Sequence, residues 1–487
     1  MSEEHSLDYD LETFETLLNQ AVQLVIERYS NLDDAPAYAG LSPAEVESWF
    51  DEEMPGVGMD SKLLLEEVRN RVMETATLNI GPHHHAYVNT CGNHVSIIAE
   101  LLAAAVNQNL GKWHLSPAMS EIEKRIIQWT GELIAYSGQC AGVLTSGGSA
   151  ANLAGLTMAR NIMFEKEAVR EKGLHALPPL VVYASAEVHG CMDKSVELLG
   201  IGSNNLRKIP VDDQQKIDLG KLRDAINRDI EAGLRPFCLV GNAGTVNSGA
   251  IDPLDELEKI ARAHGMWFHV DGAYGGLAAM LDSLRDRYRG LEKADSIAID
   301  FHKWFYQPFE AGCVLVRQWS DMERSYYKSA SYLSTDDQSD QRFDFNKYNF
   351  QLSRNARALK IWMSYKAYGT ERIKQAVAKD IDLTNYLDEM IRESGDFELC
   401  SPASLSICCF RYLGSLPASS TAEVDKLNSD IIPALESDGR VFITGTLLNG
   451  RPVIRACQIN HRMQKHDMDF LVQVIREVGE SIAVKSN

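Results

Sequence analysis

Two short apolar segments each end in a residue able to do chemistry. Ser296-Ile297-Ala298-Ile299-Asp300 carries β-branched residues at alternate positions and reads as a buried strand, with His302 and Lys303 just past its carboxyl end. Upstream, Met266-Trp267-Phe268-His269-Val270-Asp271 reads as a second strand ending in an acid, followed by the small residues Gly272 and Ala273. Ligands of open α/β sheets bind outside the carboxyl ends of the strands. A lysine there can enter a dry pocket, lose its proton and attack a carbonyl. A lone lysine at a strand end is ordinarily solvated, and a lone aspartate is ordinarily a turn or cap residue. The two together, at two strand ends, suit a single ligand.

That ligand is pyridoxal phosphate (PLP). Its aldehyde condenses with a lysine amine, and its pyridinium nitrogen needs an anion to stay protonated. Lys303 and Asp271 supply these groups, and Ala273 leaves room for the ring to lie close to the backbone. A phosphate cradle is also predicted. Ala141–Thr145 reads as a strand, Ser146-Gly147-Gly148-Ser149 as a turn and 150–164 as a helix. The glycines let backbone amides approach an anion, and a helix N-terminus favours its charge. The spacing matches neither a Walker nor a dinucleotide motif.

The pair Asp271-Gly272-Ala273-Tyr274 and Asp300-Phe301-His302-Lys303-Trp304 resembles the group II PLP-dependent amino-acid decarboxylases, which include the aromatic-L-amino-acid and glutamate decarboxylases. The resemblance runs from about Ala86 to the C-terminus. It implies an α/β protein of the aspartate aminotransferase superfamily (PLP fold type I), assembled as a homodimer. It also implies the cofactor contacts. The phosphate would lie on Ser149 and Ala150, with further contacts from Asp300 and His302. His189 would stack on the ring face opposite Lys303, Ala273 would pack the other face, and Thr245 would lie beneath. Many relatives carry asparagine where this chain has Asp300, and an acid beside a dianion is a departure from the pattern. Arg455 matches an arginine near the cofactor, or holds a domain interface. The activity implied is loss of CO2 from an L-amino acid, with Lys303 and His189 catalytic. An aminotransferase, another PLP lyase and a PLP-binding relative without turnover are the rival readings.

Trp304 after the lysine resembles the aromatic branch. Lys112 and His114, in a segment that resembles a pocket lining shared across the dimer, leave an acidic substrate as the alternative. A loop tyrosine of the partner subunit commonly returns the proton to Cα in this family. Counting back from Arg354 without gaps puts Phe345 at that position and Tyr348 three residues on. Tyr348 is the expected acid, within a polar loop over 330–351, and an amine is the expected product. Phe345 keeps open oxidative decarboxylation to an aldehyde, ammonia and peroxide.

Composition bounds the rest. The 487 residues are 45% hydrophobic and carry a formal charge of −20, which suits a large core and excludes nucleic-acid and anionic-membrane partners as a class. No apolar run reaches the roughly 18 residues of a membrane span, and the acidic N-terminus has no signal-peptide core. Nine cysteines without a C-x-x-C pair read as reduced thiols of a cytoplasmic protein. His83-His84-His85 lacks the spaced partners of a metal site, so no metal is expected. Three units are predicted: a dimer-embracing helical segment (1–85), a large PLP-binding domain (86–370) with a mainly parallel, doubly wound sheet of the seven-stranded type, and a small α/β domain (371–487). Helices are expected over 7–28, 42 onward, 61–76, 121–134 and 353–367, and strands over 314–317, 405–412 and 453–458.

Overall fold

The computed structural model describes residues 7–328 and 342–485. Seven strands build the large sheet: β1 (Ala141–Thr145), β2 (Leu180–Ser185), β3 (Leu206–Ile209), β4 (Arg235–Asn242), β5 (Trp267–Gly272), β6 (Ser296–Asp300) and β7 (Gly312–Val316). Their order is β1-β7-β6-β5-β4-β2-β3. β2 to β6 pair in parallel, whereas β7 runs antiparallel to both β6 and β1. Every residue of β5 and β6 is buried, as expected of central parallel strands covered on both faces. The sheet core continues into the flanking helices.

The helix Gly148–Met163 lies across β5, β6 and β7. Gly148, Ala151, Ala154, Gly155 and Ala159 are buried on it, and at Gly155 the approach is so close that an added Cβ would meet His269 Cε1 at 2.6 Å. Only glycine permits that spacing. The helix N-terminus is thereby held at the carboxyl ends of the strands.

β1 is an edge strand, and its outward backbone groups need partners. Glu123 Oε1 accepts from Leu144 N–H at 2.9 Å, and Arg354 Nη2 donates to Leu144 O at 2.7 Å and to Glu123 Oε1 at 2.6 Å. Both side chains are fully buried. The expected helix over 353–367 begins later, at Ala358, and Arg354 stands before it with its side chain on β1 and Glu123. That helix runs to Glu393 and breaks at Gly369, whose φ is 68°.

Beyond it a four-stranded antiparallel sheet, ordered β10-β11-β9-β8, is formed by β8 (Phe397–Ser404), β9 (Ile407–Tyr412), β10 (Thr444–Leu448) and β11 (Arg451–Cys457). It packs on Thr421–Asp438 and Lys465–Lys485 around a second apolar cluster. At the other end of the chain, Pro43–Phe50 starts with the expected Ser42 cap, closed into a capping box by Glu45. Leu11–Ser30, Pro43–Phe50 and Ser61–Val68 bury no residue within the chain. The polar stretch 336–341 lies outside the described residues.

Arg354→Met leaves Glu123 as an uncompensated buried charge. It should cost about 3–5 kcal/mol of stability, measured by chaotrope unfolding, whereas a neutral result would mean that the pair does not hold β1.

Candidate active site

The strand ends and the helix N-terminus meet around one cavity of about 1130 Å³. Ser149, Ala150, His189, Thr245, Asp271, Ala273, Asp300, His302, Lys303 and Arg455 all line it. So do Tyr87, Phe309 and Glu310, and, from the C-terminal part of the chain, Glu436, Phe442 and the 443–446 stretch. The last group carried no sequence signal, because the residues approach the site only through packing of the small sheet.

Lys303 Nζ lies 3.2 Å from Asp300 Oδ2, and His302 Nε2 lies 3.4 Å from the same oxygen. Ala311 N–H donates to His302 Nδ1 at 2.9 Å, so the ring proton sits on Nε2 and points at Asp300. Burial works to raise the Asp300 carboxyl, but the Lys303 charge and the His302 contact outweigh it and hold it below the usual carboxylate value. Asp300, the departure noted above, is thus a paired acid.

Asp271 is the penultimate residue of β5 and accepts from Ala273 N–H at 3.1 Å. Behind it a chain of bonds, not evident from the sequence, ties four elements together, the helices Gly148–Met163 and Cys191–Leu198 and the strands β5 and β6. Cys191 Sγ accepts from Asn152 Nδ2 at 3.4 Å, leaving Asn152 Oδ1 to accept from His269 Nε2 at 2.8 Å. His269 Nδ1 meets Ser296 Oγ at 2.7 Å, and Trp267 Nε1 donates to that hydroxyl at 2.8 Å. Burial pushes His269 down to about 4, so it is a neutral linker. The chain joins the cradle helix to the strands of Asp271 and Lys303. His189 Nδ1 accepts from Cys191 N–H at 3.1 Å, and the residue lines the cavity. Thr245 Oγ1 is engaged in its own turn, with Ser248 Oγ at 3.0 Å and Ala250 N–H at 3.1 Å.

The donor set fits pyridoxal phosphate: an amine, a carboxylate one strand away, and a helix N-terminus for an anion. At Gly148 an added Cβ would meet Ala273 Cβ at 2.7 Å and Asp300 Oδ2 at 2.8 Å, so the cradle is closed to any side chain there.

The model of the pyridoxal-dependent decarboxylase conserved domain matches residues 43–413. The chain belongs to the pyridoxal-dependent decarboxylases. It is 30% identical over 480 residues to the aromatic-L-amino-acid decarboxylase of Bacillus atrophaeus, covering 98% of each chain. It is 29% identical over 443 residues to the phenylacetaldehyde synthase of Arabidopsis thaliana, covering 89% of each. Among solved structures, the Oryza sativa TDC with PLP and tryptamine superposes with a TM-score of 0.91 at 24% identity, over 98% of this chain and 99% of that one. This pyridoxal-dependent decarboxylase therefore has PLP fold type I and is a carboxy-lyase that acts on an amino acid.

Other expected residues lie elsewhere. Lys112 and His114 do not line the cavity of their own chain. Lys112 Nζ is 3.0 Å from Asp344 Oδ2. Phe345 is fully buried. Tyr348 stacks on Phe343, with centroids 4.6 Å apart and rings inclined by 11°, and meets Trp319 edge-on at 5.0 Å. Neither Phe345 nor Tyr348 lines the cavity of its own chain. His83 pairs with Asp467 at 3.2 Å, while His84 and His85 are buried.

Gly148→Val forces a side chain into the cradle. Overpacking of about 1–3 kcal/mol should weaken PLP binding roughly 5- to 150-fold while the far-ultraviolet dichroism stays unchanged. Unaltered affinity would move the phosphate away from this helix.

Proposed function

We propose that the chain is a homodimeric L-amino-acid decarboxylase whose substrate side chain is aromatic and whose product is the amine. The observation that carries the substrate class is the cavity wall. Tyr87, Phe309 and Phe442 present rings along it, and beyond the Lys303–Asp300 pair its acids, Asp271, Glu436 and Glu310 (the last paired with Arg357), outnumber its one arginine, Arg455. An acidic substrate side chain would meet like charge there. Lys112, the cation considered for reading such a side chain, is engaged by Asp344.

Lys303 would carry the cofactor's aldehyde carbon, Asp271 would keep its ring nitrogen protonated, and His189 and Ala273 would hold the ring from its two faces. Ser149 and Ala150, at the helix start, would take the phosphate, with His302 and Asp300 beside it and Thr245 beneath. Bound there, PLP supplies an electron sink that lets the substrate carboxylate leave as CO2. This chain's own contribution is to orient the Cα–carboxylate bond, to exclude water, and to return a proton to Cα. Tyr348, reaching the cavity of a second copy of the chain, is proposed as that acid.

Support for the dimer comes from unpartnered apolar faces. Ile98, Leu101, Leu102 and Val106 are exposed at helical spacing on His94–Val106, and Leu11, Phe14, Val22 and Ile26 are exposed on Leu11–Ser30. The three first helices bury nothing within their own chain, as expected if residues 1–85 embrace a partner.

A second reading, the aldehyde synthase, is favoured by one observation. Phe345 stands at the ungapped position of the loop tyrosine, and Tyr348 is packed in an aromatic cluster with Phe343 and Trp319.

A panel of amino acids followed by CO2 release, amine and peroxide decides both points. Tyrosine, tryptophan or dihydroxyphenylalanine should give CO2 and amine in equal amounts, with glutamate and aspartate inert. Tyr348→Phe should lose amine formation while CO2 release persists. Oxygen consumption matching CO2 in the wild type would replace the amine reading with the aldehyde one, and an unchanged amine rate in Tyr348→Phe would remove Tyr348 as the acid.

A further inference from the structure

The turn that follows β6 is held from below by a carboxylate that the mechanism does not use. Asp380 lies on the Ala358–Glu393 helix and is fully buried. Its Oδ2 accepts from Trp304 Nε1 at 3.1 Å and from Tyr306 O–H at 2.7 Å. These residues flank the proposed reactive lysine, one and three positions after it. The Lys303 carbonyl accepts from both Phe305 N–H at 3.0 Å and Tyr306 N–H at 3.2 Å, so the turn closes on Lys303 itself. Tyr306 has φ 52°, a left-handed conformation that a bulky L-residue adopts only when its surroundings impose it. Asn93 Nδ2 holds its carbonyl at 2.9 Å and Asp380 holds its hydroxyl. Trp304 in turn packs on Tyr274, with centroids 5.1 Å apart, and Tyr274 lines the cavity three residues after Asp271.

We propose that Asp380 is a positioning residue for Lys303, gripping Trp304 and Tyr306 most firmly in its ionised form and so coupling the ordering of the lysine to the protonation of a buried acid. The inference rests on the reading of Lys303 as the reactive amine. Asp380 Oδ1 has no partner among the described residues, and neither does the nearby Gln458 Nε2. Thr384 Oγ1 sits between the two residues, 2.8 Å from Asp380 O and 3.0 Å from Gln458 Oε1, with one proton to give to either. Protonation at Oδ1, the oxygen with no side-chain donor among the described residues, is part of the proposal. Oδ2 keeps both donors but loses the charge that strengthens those bonds.

The surroundings fix the direction of the titration. Tyr306, Cys91 and Cys457 face the carboxylate, and burial keeps all three protonated. His461, edge-on to Tyr306, is held neutral by burial, at about 4. The nearest cation is Lys379, whose ammonium donates to His461 O at 3.3 Å. Burial, opposed by the Tyr306 and Trp304 bonds, pushes the Asp380 carboxyl up to about 7. A carboxyl raised on folding favours the folded state most at pH values below its unfolded pKa. That contribution is lost as pH rises toward and through about 7. Ionised Asp380 thus works against the stability of the fold while it tightens the turn.

Asp380→Asn keeps the shape, with an amide oxygen for Trp304 and Tyr306, and imitates the protonated acid at every pH. Two results are expected. In cofactor-stripped protein, the melting temperature of Asp380→Asn relative to wild type should rise between pH 5 and pH 8.5. In the holoenzyme, kcat should fall on the order of 5- to 10-fold at pH 8.5 with KM little changed, and the wild-type rise in kcat through about pH 7 should be absent. Tyr306→Phe, which removes one of the two grips, should lower kcat in the same direction with KM little changed.

A purely structural Asp380 gives the opposite pattern: a variant less stable at every pH by the same amount, with the kcat profile of the wild type. Either that result, or a Tyr306→Phe enzyme with wild-type kcat, overturns the proposal. Should Asp380→Asn not fold, the proposal falls as well, since a neutral isostere is predicted to be tolerated. Failure of the Lys303 reading is distinguishable, because it shows as turnover that survives Lys303→Ala.

Discussion

How closely the Gly148–Met163 helix lies on the sheet decides whether there is a site. The contact of Gly155 with His269 sets the distance, and the Asn152–His269–Ser296 chain sets the register. Together they bring a helix N-terminus to the ends of β5 and β6, where Asp271 and Lys303 stand. A neutral histidine suits this place, since a charged one behind Asp271 would compete for its anion. Close packing transmits such a constraint with little slack, because protein interiors are as dense as organic crystals. The edge pair Arg354–Glu123 does the same for β1, which leads into the cradle.

The charges nearest Lys303 are paired. Asp300 holds Lys303 and is itself steadied by His302, while Asp271 is turned to its own strand end. Arg455 donates to Val246 O and Tyr87 O, lines the cavity, and keeps one buried nitrogen without a partner among the described residues. On the proposed reading, such a site takes a ligand that brings its own anions to the helix end and an uncharged side chain to the aromatic wall.

Lys303, Asp271 and the glycine turn were legible because each stands where an apolar strand pattern stops, and such stops mark the strand ends of an α/β sheet. The Ser42 cap was legible for the same local reason. Long-range features were not. The antiparallel direction of β7 depends on what it pairs with and leaves no trace in a five-residue apolar run. Arg354 looked like the start of a helix because its role is to reach across to β1. β8 went unread since half-buried residues spoil its alternation. Asp380 and His269 sit inside ordinary helix and strand patterns, and only the packing of a distant segment gives them partners. Tyr348 and Phe345 were placed by counting along a loop, whereas their contacts are set by Trp319 and Phe343.

The central claim is that Lys303 is the amine that binds the cofactor. Borohydride reduction of the PLP-loaded protein, followed by peptide mapping, tests it most directly. A single pyridoxyl label on the peptide containing Lys303, absent from Lys303→Ala, is the predicted result. A label on any other lysine, or one that persists in Lys303→Ala, would contradict the account.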